Sequence, residues 1–192
     1  MMRLRTYRAW SCLAIPLLIL GSQLATAQAA EDSKAAKSRS EIDSESATVL
    51  KDFKELKGAD ALYNKAAGYA TFRVTKAGFG ASGAGGGGVA VDKKTGARTY
   101  MRMGSAGAGL TIGASKYDIV ILFETPQKFQ EFAKGGWDSS ATAQAAAGNK
   151  NAEVSSTFFD GVAYYQIGNK GLMASADVSG TKFWVDDINE KK

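Results

Sequence analysis

Twelve glycines fall between Gly78 and Gly113, more than half of the 22 in this 192-residue chain. At ordinary usage of about 7%, a chain of this length carries roughly 13 in all. Two physical causes concentrate glycine in this way: a loop that cradles phosphate, or strands whose backbones bend and approach too closely for side chains. The first is directly testable. Gly78-Phe79-Gly80-Ala81-Ser82-Gly83 has the spacing G-x-G-x-x-G, and Gly83, Gly85 and Gly88 repeat it. A dinucleotide loop must follow a strand and open a helix, with an acid about 20 residues further on. Here Val89-Ala90-Val91-Asp92 reads as strand, and residues 97–103 contain no acid. No Gly-Lys-Ser/Thr follows either, so no phosphate loop of the nucleotide-hydrolase type is present. The glycines mark a tightly curved β core, and nucleotide is excluded as a partner.

The surrounding pattern agrees. From Gly68 the apolar period is two, in short segments broken by glycine: Tyr69 to Val74, Phe79 to Ser82, Gly88 to Asp92, Arg98 to Met103, Gly107 to Ala114 and Ile119 to Phe123. Lys93-Lys94-Thr95-Gly96 is a hairpin loop. Thr125-Pro126 opens a helix over Gln127 to Ala133. Ser139 to Asn151 is alanine-rich, either a weakly packed helix or a loop. Strands resume at Val154 to Phe158, Val162 to Ile167, Leu172 to Val178 and Lys182 to Val185. Upstream, Val49, Leu50, Phe53 and Leu56 lie on one face of an amphipathic helix over Ile42 to Leu56, with Ser44 as N-cap. A short helix follows over Ala59 to Ala67. No helix recurs between strands, so the expected class is α+β, mainly β. Its sheet is antiparallel, closed as a barrel or strongly curled, with the N-terminal amphipathic helix and one or two short additional helices.

Residues 1–27 read as a secretory signal peptide: Arg3, Arg5 and Arg8, then an apolar run from Ala9 to Leu20, then small residues at Ala25-Thr26-Ala27. The run is too short for a spanning helix and contains Pro16. Cleavage is expected near Ala27 or Ala29, and Cys12 is misplaced for lipidation. Residues 28–41 have no bulky apolar side chain and are expected to be a flexible leader to a single domain over 42–192. Removing residues 1–27 takes three of the 24 basic residues and none of the 19 acidic ones, leaving a net charge of about +2. That gives no support for nucleic acid as a partner. The remaining chain has no cysteine, so an oxidising compartment is permitted without disulfides, and the periplasm fits.

Catalytic chemistry is poorly supplied. The chain has no histidine, hence no imidazole base or zinc ligand, and no metal or cofactor is expected. Ser179-Gly180-Thr181-Lys182 and Lys94-Thr95-Gly96 resemble elements of penicillin-recognising enzymes, but in reversed order and without the Ser-Asp-Asn element. Asp186 and Asp187, adjacent and without a ligand cluster, are expected to be solvated or capping. Phe158, Phe159, Tyr164, Tyr165, Phe183 and Trp184 are read as core. Trp137, between Gly136 and Asp138 in an expected loop, either packs locally or dips into a membrane interface.

The order of motifs resembles the SYLF domain family. The matching pieces are Lys76-Ala77-Gly78-Phe79-Gly80 leading into Gly85 to Val89, then Ser105, Gly107, Gly109, Gly113-Ala114, Asp118 and Val120. Gly171-Leu172-Met173-Ala174, Ser179-Gly180, Asp186 and Asn189 resemble its closing segment. The resemblance covers about Val49 to Asn189. It implies binding of phosphoinositide or other lipid, actin association in fungal and animal members, and no catalytic residues. Lipid binding in the family is linked to the N-terminal region, here the helix beginning near Ile42, where Lys51, Lys54 and Lys57 are interleaved with Asp52, Glu55 and Asp60.

The expected function is therefore a non-catalytic periplasmic lipid- or membrane-binding module of the cell envelope. Its lipid contacts would be Lys51, Phe53, Lys54, Lys57, Lys65, Arg73 and Lys76, meeting anionic headgroups, with a protein partner left unassigned. The alternative is a small outer-membrane β-barrel or an envelope structural protein.

Overall fold

A computed structural model describes residues 19–79, 81–107, 112–147, 154, 157–168, 171–172 and 180–190. Helix α1 runs from Ile19 to Lys54 and α2 from Ala59 to Lys65. Strands β1 (Gly68–Phe79), β2 (Ala81–Asp92), β3 (Arg98–Gly107) and β4 (Ile112–Phe123) follow, then α3 (Pro126–Gly135) and α4 (Ser139–Ala147). Strands β5 (Val162–Gly168), β6 (Gly171–Leu172) and β7 (Lys182–Val185) lead to a 3-10 turn at Asp187–Asn189. All seven strands form one antiparallel sheet in the order β6-β5-β4-β1-β2-β3-β7.

The sheet is curled but open, which settles the choice left between barrel and curled sheet: β6 and β7 are its edges. Helices cover both faces, so Ile119 to Phe123 is apolar without interruption. Ile119, Ile121 and Phe123 point to one side with Phe72, Met101, Phe132 and Phe183, under α3 and α4. Val120 and Leu122 point to the other with Val49, Phe53, Leu62 and Tyr165, under α1 and α2. Trp137 takes the packing alternative: its ring lies 4.7 Å from that of Phe132, and its backbone bridges to Phe183.

Several segments read as short are longer. The glycine-broken pieces join into twelve-residue strands, because the ladder of β2 to β1 runs unbroken from Ala81 to Asp92. Gly78 and Phe79 thus end β1 and Ala81 to Gly83 begin β2, with no helix among the described residues there to receive a pyrophosphate. At Gly86 a Cβ would overlap the Arg73 carbonyl oxygen, and at Gly88 the Thr71 carbonyl oxygen and the Phe72 ring. Helix α1 likewise begins before Ile42, so residues 28–41, expected to be a flexible leader, are helical. Alanine, lysine and glutamate dominate there and favour helix, with a Lys37–Glu41 pair at 3.9 Å. Ser44 is consequently inside the helix and caps nothing; its carbonyl accepts from the Thr48 hydroxyl at 3.1 Å.

The alanine-rich stretch is helix from Ser139 to Ala147, capped by Asp138 Oδ1, which accepts from the Ser140 and Ala141 amides at 2.9 Å. The strand expected at Val154 to Phe158 is not seen among its described residues, and most of Leu172 to Val178 lies outside them. Among the described residues, no helix is long and apolar enough to cross a membrane.

Candidate functional site

Alternation sorts one face of the sheet into rows beneath α1. Register aligns Leu122, Tyr69, Val91 and Arg98; then Val120, Thr71, Val89 and Tyr100; then Asp118, Arg73, Gly87 and Arg102. Helix α1 crosses these rows through matched contacts. Phe53 is 0% exposed, with its ring 5.3 Å from that of Tyr165. The Thr71 hydroxyl donates to Ser46 Oγ at 2.6 Å in a buried pair. Asp43 Oδ2 sits 2.6 Å from Arg98 Nη1 and accepts from the Tyr100 hydroxyl at 3.1 Å. Arg39 Nη1 donates to the Ile188 carbonyl at 3.2 Å.

Where α1 leaves the sheet beside β2 and β3, a groove of about 500 Å³ opens. Leu50, Ala47, Val89 and Val91 supply apolar wall, and Tyr69 stands at its side. Lys51, Lys54 and Arg98 bring positive charge to it, Asp43 and Glu55 negative. Asp43, chiefly by Coulomb attraction, holds the Arg98 guanidinium more firmly charged than usual. Burial raises the Tyr69 and Tyr100 phenols above their ordinary range, so both are neutral hydrogen-bond donors at physiological pH.

The sequence-derived contact residues divide in space. Lys51 and Lys54 line the groove: Lys51 pairs loosely with Glu55 at 4.0 Å, and Lys54 with Asp60 at 3.1 Å while lying 4.5 Å from the Tyr63 ring centroid. Lys57 is exposed in the turn after α1, and Lys65 is exposed at the end of α2. Phe53 is a core side chain and cannot reach a headgroup in this packing, because the face of α1 that carries it is the face laid on β4 and β5. Arg73 lies on the other side of α1, held by Asp118 at 3.1 Å and Glu45 at 3.9 Å. Lys76 is half-buried further along β1.

Sequence reading missed Asp43, Tyr69, Lys93 and Arg98. Lys93 Nζ donates to the Tyr63 carbonyl at 2.6 Å and lies 4.2 Å from its ring centroid, sharing that ring with Lys54. Burial, then repulsion from Lys54, lowers the Lys93 pKa. No local pattern announces Asp43, Arg98 or Lys93, since each acts through a partner 30 or more residues away, and Tyr69 reads only as a strand residue although its ring lies 5.6 Å from that of Tyr63. Among the described residues, no group of three or more histidine, cysteine, aspartate or glutamate side chains is placed to hold a metal ion.

Beside β7, Asp186, expected to be solvated or capping, is buried and caps the closing turn. Its Oδ1 accepts from the Ile188 amide at 3.2 Å, and its Oδ2 meets Arg102 Nε at 2.7 Å. Asn189 clasps β3: its Oδ1 accepts from the Tyr100 amide at 2.9 Å, and its Nδ2 donates to the Tyr100 carbonyl at 2.7 Å. Residues 104–192, which include Asp186 and Asn189, match the family described as Ysc84, Las17-binding protein actin regulator. The chain belongs to the SYLF (Ysc84) family. A relative, Beta cell expansion factor A of Aeromonas veronii, is 41% identical over 143 residues, which are 74% of this chain and 55% of that protein. The chain thus spans about half the length of the curated relative it matches. In this SYLF protein Asp186 and Asn189 tie the closing turn to β3, and Asp118 anchors Arg73.

Proposed function

We propose that this SYLF protein is a non-catalytic lipid-binding module of the bacterial envelope, exported to the periplasm by its first 27 residues and engaging membranes at the C-terminal end of α1. One observation carries the reading: an apolar-walled groove lies directly beside α1, with Lys51, Lys54 and Arg98 at it. The lysine stems cover apolar surface while their ammonium groups reach the headgroup layer. Family membership supports a lipid surface as the partner. The non-catalytic reading is supported by a sequence without histidine and with Cys12 as its sole cysteine.

Co-sedimentation with vesicles of phosphatidylethanolamine and phosphatidylglycerol tests the proposal. Binding is expected to weaken with added salt over the range where screening shortens to about 8 Å. Lys51→Gln with Lys54→Gln is expected to weaken it by about thirtyfold, at roughly 1 kcal/mol per charge removed near an anionic surface. Absence of binding to vesicles of either lipid overturns the proposal.

A further inference from the structure

A second cavity lies on the face of the sheet away from α1 and has no part in the lipid reading. It measures about 540 Å³ and opens between α3, α4 and the turn that leads into β5. Trp137, Phe159, Val162 and the methyl groups of Ala141 and Ala145 form its apolar wall. Both aromatic side chains are fixed from behind. Trp137 exchanges backbone hydrogen bonds with Phe183 at 3.1 and 2.8 Å, and its ring lies 4.7 Å from that of Phe132 and 5.8 Å from that of Phe123. Phe159 opens a two-residue turn: its amide donates to the Val162 carbonyl at 2.8 Å and its carbonyl accepts from the Val162 amide at 3.0 Å. Between them Asp160 and Gly161 both have positive φ, 48° and 75°, as the tight hairpin turn of this hand requires. Phe159, read as core from the sequence, is therefore held rigidly at 55% exposure on the cavity wall, where an occupant would cover it.

The charges at this cavity do not balance. Lys128 Nζ is engaged by Asp160 Oδ2 at 3.0 Å, so that pair is internally neutral. Glu131, on α3, also lines the cavity and forms no ion pair among the described residues. The unmatched charge is thus negative, and it adjoins two aromatic side chains. Ring faces are electron-rich and attract a cation, the more so where water is excluded. A planar apolar body suits the same walls, because aromatic rings pack on one another by offset or edge contacts. The volume falls in the range of small-molecule sites.

We propose that this cavity binds an arylalkyl amine in its cationic form. The aromatic body lies against Trp137 and Phe159 over Ala141 and Ala145, and the ammonium group meets the Glu131 carboxylate. An arylalkyl carboxylate of the same shape is repelled by Glu131, and the corresponding alcohol lacks the charge that the carboxylate and the rings attract.

Tryptamine, tryptophol and indole-3-acetate share one skeleton and differ in charge, so titration calorimetry with the three isolates the electrostatic part of the recognition. Tryptamine is expected to bind one to one and about tenfold more tightly than tryptophol, with indole-3-acetate weakest. Glu131→Gln, at an exposed position, is expected to bring the two affinities together. Phe159→Leu keeps an apolar side chain but removes a ring face, and is expected to shrink the ratio. Because a ratio is read, general loosening of the fold does not imitate either effect. Ala141→Phe, at a half-buried position of α4, is expected to fill the cavity and block uptake while the urea midpoint stays near that of the unsubstituted protein. Equal affinity for amine and alcohol, preference for the carboxylate, uptake that survives Ala141→Phe, or no uptake of tryptamine at millimolar concentration each overturn the proposal.

Discussion

Phe53→Ala separates two roles for one side chain, core and lipid anchor. Phe53 is 0% exposed and its ring stacks obliquely on Tyr165 at 5.3 Å and 40°. Val49, Leu62, Val120 and Leu122 complete its surroundings. Removing the ring forfeits about 2–3 kcal/mol of burial and about 1 kcal/mol of aromatic pairing. The residual cavity brings the total to about 3–5 kcal/mol. With a urea slope of about 2 kcal/mol per molar, the midpoint should fall by about 2 M. Urea unfolding followed by far-ultraviolet circular dichroism measures this, with vesicle binding assayed on the folded variant. A loss under about 1 kcal/mol combined with abolished vesicle binding would mean that Phe53 faces lipid, and that α1 does not lie on β4 and β5 as described.

Two glycines of β2 give a paired test. Gly88→Ala drives a Cβ into the Thr71 carbonyl and should cost about 3 kcal/mol or more, whereas Gly85→Ala finds its nearest neighbour, the Met103 carbonyl oxygen, at 3.8 Å and should stay within about 0.5 kcal/mol; equal urea midpoints for the two variants would contradict the close approach. Burial is the leading cause of the raised pKa of Tyr69, Tyr100 and Tyr164, whose ordinary value is 10.0. The folded state therefore holds these protons to higher pH than the unfolded state, so stability is intact below about pH 10 and declines as pH rises from there. Tyrosinate absorbance should show a fraction that ionises only on alkaline unfolding, and all tyrosines titrating together near pH 10 would refute it.

The legible parts of this fold are those governed by local rules. Thr125 Oγ1 accepts from the Lys128 amide at 3.3 Å with Pro126 at the first helical position, as that dipeptide announces. Alternation located β5 and β7, and the change of period at Gly68 is the start of β1. Helix α1 was read too short because its first half has little apolar pattern, and helix propensity without periodicity resembles a solvated leader. The strands were cut at glycines because a missing side chain erases the alternation that defines a strand, although the backbone ladder continues. In the candidate groove, Lys51 and Lys54 were legible as charges on an amphipathic helix. Arg98 and Asp43 were not, because 55 residues of chain separate them and only the β2–β3 register brings Arg98 beneath α1.

The glycines and the groove have a common origin. On the α1 side of β2 the outward positions run Gly87, Val89, Val91. A Cβ at Gly87 would stand 3.5 Å from Ile42 Cδ1, an ordinary contact, so the helix leaves room there for little more than a methyl group. Two and four residues later valine returns, and Val89 and Val91 become wall of the groove. Between the two regions Ser46 bonds to Thr71, and Asp43 reaches sideways to β3. The end of the glycine run therefore sets where the groove begins. A larger residue at position 87 would lift α1 and move Asp43 relative to Arg98, altering the groove without touching its lining. Glycine concentrated for close packing and a pocket for a ligand, which look like rival explanations in the sequence, are consecutive stretches of one strand.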